Sequence, residues 1–228
     1  MSIADNLKTI MDRIASAAKR AGRDPSSVQL VVVTKTVDVE RIREAAAAGA
    51  SILGENRVQE AKEKIEKLGP IASWHLIGHL QTNKAKYAVK LFELIHSVDN
   101  AELARELDKQ AGKIGKKQDV LIEVSIAGEA AKAGVPIDAV VALVREAAAL
   151  KNLSIKGLMA IPPFLDDPGQ VRPYFRKLRE LSQRIAAEYI PGVSMQELSM
   201  GMSGDFEVAI EEGATMVRVG TAIFGTRS

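Results

Sequence analysis

Lys35 closes the apolar run "LVVVTK" (residues 30–35). An ammonium group at the end of a buried strand has two readings. It can snorkel to solvent or pair with a carboxylate such as Glu55 or Glu123. Alternatively, partial desolvation favours the neutral amine, which can form an imine with an aldehyde. Two polar loops near the other end of the chain bear on the choice. "GMSGDFEVAI" (201–210) puts Ser203 and Gly204 just ahead of a predicted helix, and "VRVGTAIFG" (217–225) repeats the device with Gly220 and Thr221. Free backbone N–H groups at such places, with a hydroxyl beside them, are suited to a phosphate group. An imine-forming lysine facing a phosphate cradle calls for a small phosphorylated aldehyde, and pyridoxal 5′-phosphate fits. Arg218, two residues before Gly220, must find a partner inside its apolar strand. That partner is either a carboxylate or, functionally, the pyridine nitrogen. An always-cationic donor would keep that nitrogen unprotonated and the ring a weak electron sink.

Bringing residues 35 and 218 to one site needs a closed fold. Eight β-rich runs recur: "LVVVTK", "SILGE", "SWHLIG", "ELIHSV", "DVLIEVSI", "SIKGLMAI", "SMQELSM" and "TMVRVG". Stretches with helical spacing of apolar residues lie between them, several ending on Gly. Some of the runs are apolar on both faces, as parallel strands covered on both sides must be. After one N-terminal helix, "MSIADNLKTIMDRIASAAKR", this alternation predicts an α/β fold of the (β/α)8 TIM-barrel type with an extra N-terminal helix. An open doubly wound sheet is the alternative. In the barrel, the C-terminal strand ends form the active face, and loops after strands 7 and 8 are recurrent phosphate sites.

The totals agree with one domain over residues 1–228. The chain is 46% apolar, with 31 Lys and Arg against 29 Asp and Glu, giving a formal charge of +2. That balance argues against a nucleic-acid or membrane partner. The absence of cysteine excludes disulfides and thiolate metal sites and suits a reducing cytoplasm. No segment reaches the ~18 uninterrupted apolar residues of a spanning helix, and no secretion signal is evident.

The chain resembles the pyridoxal-phosphate homeostasis proteins, single barrels similar to the N-terminal domain of bacterial alanine racemases. The likeness rests on "VVVTKT", "GENRVQE", "WHLIGHLQTNK", "SVDN", "GLMAIPP", "LSMGMSGDFEVAI" and "VRVGTAIFG", in that order. It implies a Schiff base on Lys35, phosphate contacts from Ser203, Gly204, Gly220 and Thr221, and Arg218 facing the ring nitrogen. It also implies Asn56 near the ring, with Met200 and His79 around the pocket mouth. For His79 a helix-capping or solvent role stays open, and His75 and His96 read as satisfied core or rim histidines. In the family, the loop after the fifth strand carries a Glu, a Ser and a Lys before a Gly. Here it reads "AGEAAKAG", with Ala131 in place of the Ser and Lys132 kept as a possible secondary cofactor lysine.

Alanine racemases add a second domain that supplies a catalytic Tyr. The sequence here ends one short predicted helix after the eighth strand, and Tyr87, Tyr174 and Tyr189 all fall in predicted helices. Racemisation needs a positioned acid/base on each face of the carbanion, and one face is left unserved. The expectation is a cytoplasmic, monomeric protein with no catalytic residues, which buffers pyridoxal phosphate or delivers it to transient apo-enzyme clients. A low-activity amino-acid racemase and a Schiff-base aldolase acting on a phosphorylated sugar are the rivals.

Overall fold

The computed structural model describes residues 2–126, 133–163, 165 and 167–225. Eight parallel strands form its centre: β1 (Gln29–Val33), β2 (Ile52–Glu55), β3 (Ser73–Leu76), β4 (Leu94–Val98), β5 (Gln118–Ser125), β6 (Leu153–Met159), β7 (Val193–Ser199) and β8 (Met216–Val219). Their order is β4-β3-β2-β1-β8-β7-β6-β5, and β4 also pairs with β5, so the sheet closes on itself. All eight predicted runs are strands of this barrel, and the open-sheet alternative is excluded. A two-residue strand, Val135–Pro136, pairs outside the barrel with the end of β5.

The helices α1 (Ile3–Arg20), α2 (Val39–Ala47), α3 (Val58–Leu68), α4 (Ala85–Leu91), α5 (Ala101–Lys113), α6 (Val140–Ala148), α7 (Arg172–Ala186), α8 (Phe206–Glu211) and α9 (Thr221–Phe224) accompany the strands, with short 3-10 turns at Pro25–Ser27, Thr82–Lys84, Ile137–Ala139 and Pro168–Val171. Helix α1 starts on a capping box between Ser2 and Asp5, buries Leu7, Ile10 and Ile14, and packs against α8 and α9. Among the described residues, no helix is long and apolar enough to cross a membrane.

Period-2 alternation sorts the strand residues into two layers. Val32, Leu53, Leu76, Ile95 and Ile122 join the helices in the large outer core. Val31, Ile77, Leu94, Leu121, Met159 and Met216 form a separate cluster that fills the barrel. Towards the C-terminal strand ends this filling turns polar, because His75, His96, Glu123, Ser199 and Arg218 share the inward parity and are all buried. A polar inner layer beneath the active face is what the apolar strand composition alone would not suggest.

Candidate functional site

A cavity of about 730 Å³ opens at the C-terminal ends of the strands. Lys35 and Asn56 line it from the ends of β1 and β2, and Arg218 lines it from within β8. Ser203 and Gly204 reach it from the loop before α8, and Gly220 and Thr221 from the start of α9. Seven of the sequence-selected residues therefore meet in one space, within the usual size of a small-molecule site.

The loop geometry leaves donors free. The backbone N–H groups of Ser203 and Gly204, and those of Thr221 and Ala222 at the first turn of α9, have no acceptor among the described residues. Two close approaches depend on glycine. A Cβ on Gly220 would lie 3.0 Å from the Val33 carbonyl oxygen and 3.1 Å from Val33 Cβ. One on Gly78 would lie 2.5 Å from the Asn56 carbonyl oxygen, so Gly78 admits the backbone that carries Asn56. Among the carboxylates that line the cavity, Asp38 accepts the Arg41 N–H (2.9 Å) and Asp205 accepts the Met202 N–H (2.6 Å). Burial raises Asp205, against the Met202 N–H and Arg218.

Arg218 is buried at 4% exposure and held by three hydrogen bonds: Nη1 donates to the Ser199 carbonyl (2.8 Å) and Oγ (2.6 Å), and Nη2 to the Ala160 carbonyl (3.0 Å). Its Nε and one Nη2 proton have no partner among the described residues. Burial lowers its pKa to about 10 while Glu123 and Asp205 act the other way, so it remains cationic at neutral pH. A guanidinium only donates, so Ser199 Oγ accepts from Arg218. The same Oγ is hydrogen-bonded to His96 Nδ1 (2.9 Å), and His96 Nε2 to His75 Nδ1 (3.1 Å). Both rings are neutral in this chain: burial takes His75 down to about 4 and puts His96 well below the ordinary imidazole range, with His75 and Arg218 lowering it further. The two histidines are thus satisfied core groups, as the sequence suggested, and they also support Arg218.

Of the two carboxylates that could have neutralised Lys35, neither does. Glu55 accepts from Lys64 Nζ at 2.7 Å. Glu123 is 5% exposed, and its Oε2 has no hydrogen-bond partner among the described residues. Burial pushes Glu123 up to about 7, Asp99 adds to the rise and Arg218 opposes it.

Two residues assigned to the pocket mouth lie elsewhere. Met200 is fully buried in the outer core, and the cavity is lined by Met202 instead. His79 is exposed, with Nδ1 3.7 Å from Asp99 Oδ2, and does not line the cavity. Tyr189 lies in the turn after α7 with φ 50, not in a helix, and is 90% exposed. Lys132 and Ala131 fall outside the described residues. The cavity also includes Arg41, whose guanidinium donates to the Phe224 carbonyl and lies over the Phe224 ring. No sequence pattern marked Arg41, because its approach to α9 is made across 183 residues. Among the described residues no cluster of His, Asp and Glu could hold a metal ion.

Residues 6–228 match the model of the alanine racemase N-terminal domain family. A pyridoxal phosphate homeostasis protein of Aquifex aeolicus is 49% identical over 228 residues, covering 100% of this chain and 99% of the relative. The chain belongs to the pyridoxal phosphate homeostasis proteins. The Escherichia coli K12 member is 38% identical, covering 99% of this chain and 97% of its own length. PipY of Synechococcus elongatus, in a structure with PLP bound, superposes with a TM-score of 0.83 at 40% identity, covering 95% of this chain and all of that one. Alanine racemase of Clostridium difficile, with a TM-score of 0.71 and 17% identity, shares the fold over 57% of its length.

Proposed function

We propose that this chain binds pyridoxal 5′-phosphate through a Schiff base on Lys35 and takes part in its intracellular homeostasis, by buffering it or handing it to apo-enzymes, with little or no catalysis of its own. The observation that carries the reading is the convergence on a single cavity of one lysine, a buried arginine with spare donors and the backbone N–H groups of Ser203, Gly204 and Thr221, which have no acceptor among the described residues. In the reading, Ser203, Gly204, Gly220 and Thr221 hold the phosphate, Arg218 donates to the ring nitrogen, and Asn56 flanks the ring. Bonding is balanced by water: the Lys35 nitrogen bonds to the aldehyde carbon, and the carbonyl oxygen leaves with the two amine protons. When bound, the cofactor supplies an electrophilic aldehyde and a conjugated ring. Arg218, tied to Ser199 and the two neutral histidines, keeps a positive donor at the ring and so leaves the nitrogen without a proton. That tuning suits a carrier better than carbanion chemistry. PipY, at 40% identity, was solved with PLP bound, which supports the same ligand here.

The same reading takes residues 1–228 as one monomeric domain in the cytoplasm, with apo-enzymes as transient clients. The test is a visible absorbance titration with pyridoxal 5′-phosphate, borohydride reduction and peptide mapping, alongside an alanine racemisation assay. The expected result is an imine band trapped on Lys35, lost in Lys35→Ala, with no racemisation. A label spread over surface lysines would refute the Lys35 assignment, and alanine turnover that disappears in Lys35→Ala would revive the racemase reading.

A further inference from the structure

Thr36, the residue after Lys35, has φ 61. For a β-branched residue this left-handed conformation is an outlier, and such strain persists only where the surroundings over-determine it. The surroundings here come from α3, on the outside of the barrel. The Thr36 N–H donates to Glu60 Oε1 at 2.5 Å. The same oxygen accepts from Lys64 Nζ at 2.7 Å. Lys64, only 7% exposed, gives its other two protons to the Thr34 carbonyl (2.7 Å) and Glu55 Oε1 (2.7 Å), and the Thr34 hydroxyl donates to Glu55 Oε1 as well (2.6 Å). One ammonium and two carboxylates thus grip the residues on both sides of Lys35; none of the three lines the cavity, although Thr36 does.

We propose that Glu60 and Lys64 are positioning residues for Lys35, fixing the Thr34–Thr36 backbone so that the Lys35 amine enters the cavity at the angle bond formation requires. The inference rests on the reading of Lys35 as the Schiff-base residue. A purely stabilising purpose accounts poorly for the cluster, since apolar side chains of similar volume would fill the space without desolvating three charges. Strand parity accounts for the arrangement well. Thr34 faces outward to α3 and Lys35 faces the cavity, so a clamp on the outer side can hold the lysine without blocking it.

The test compares two probes. Pyridoxal 5′-phosphate reports the cradle and the imine together. Pyridoxine 5′-phosphate, with an alcohol in place of the aldehyde, reports the cradle alone. Glu60→Gln removes the charge that grips Thr36 and Lys64. It is expected to weaken imine formation about tenfold, the scale of relaxing one left-handed residue, and to leave pyridoxine 5′-phosphate affinity within about twofold. Adding Thr36→Gly, which adopts that φ without strain, is expected to recover most of the loss. Should Glu60→Gln melt below the assay temperature, Glu60→Asp keeps the charge beside Lys64 but falls one methylene short of the Thr36 N–H, and the same outcomes apply. Unchanged imine formation, an equal loss for both probes, or no recovery with Thr36→Gly would overturn the clamp. Persistence of the band in Lys35→Ala would instead overturn the Lys35 reading, and the inference with it.

Discussion

Glu123 offers a direct measurement of the electrostatics beneath the site. Its side chain faces the barrel interior from β5 and leaves Oε2 without a hydrogen-bond partner among the described residues. Burial raises its pKa from 4.5 to about 7, with Asp99 pushing the same way. Between those values the native state holds a proton that the unfolded chain has lost. Stability is therefore greatest below pH 4.5 as far as this group is concerned, and falls as pH rises through 7. At about 1.36 kcal/mol for each pH unit between the two values, the total is about 3 kcal/mol. Glu123→Gln is neutral at every pH and nearly isosteric with the protonated acid, so it should match the parent near pH 4.5 and exceed it by about 3 kcal/mol at pH 8. Urea denaturation of the cofactor-free protein at half-unit intervals from pH 4.5 to 8 measures the difference. A gap that stays constant with pH would refute the reasoning, because it would mean that Glu123 ionises alike in the folded and unfolded chains.

Two further outcomes rest on named contacts. Gly220→Ala should weaken pyridoxal 5′-phosphate binding and destabilise the fold by about 1–2 kcal/mol, since the new Cβ meets Val33 O and Cβ at 3.0 and 3.1 Å; competition with inorganic phosphate would show whether the loss lies in the cradle. His75, depressed to about 4, contributes stability that is present above pH 6.5 and lost as pH falls to 4. His75→Phe should flatten that acid limb by about 1.4 kcal/mol per pH unit, read from urea midpoints, while His96 keeps its own share.

The barrel was legible because each strand is a short apolar run bounded by polar turns, and eight such runs in alternation admit few closed arrangements. Lys35, Arg218 and the Ser203 and Thr221 loops were legible for a related reason: once strand ends are fixed, polar residues there have one place to go. The misplacements fall where parity is lost. After β7 the chain turns through Gly201 at φ 92, so Met200 ends in the core and Met202 at the cavity, which no spacing rule foretells. Tyr189 continues the helical pattern of α7 yet lies in the turn that follows. Glu60 and Lys64 look like an ordinary i,i+4 pair on a solvated helix face, and only the position of Glu55 on the outer face of β2 shows that Lys64 is buried. Thr36 at φ 61 was unreadable, because threonine is among the last residues expected there.

The two supporting networks lie on opposite sides of the barrel wall and share no residue. Thr34, Glu55, Glu60 and Lys64 hold Lys35 from outside, whereas Ser199, His96 and His75 hold Arg218 from inside. They are nonetheless next to one another, since Val31 of β1 pairs in register with Arg218 of β8. If the wall is rigid, each network acts only on its own end of the ligand. Ser199→Ala would disturb Arg218 through the lost Oγ contact, Glu60→Gln would disturb Lys35 through Thr36, and the double variant should lose the sum of the two in pyridoxal 5′-phosphate binding, within about 0.5 kcal/mol. The measurement is a four-variant cycle by absorbance titration at one pH. A coupling above about 1 kcal/mol would mean that β1 and β8 move together, and that the lysine and the arginine are positioned by one device and not by two.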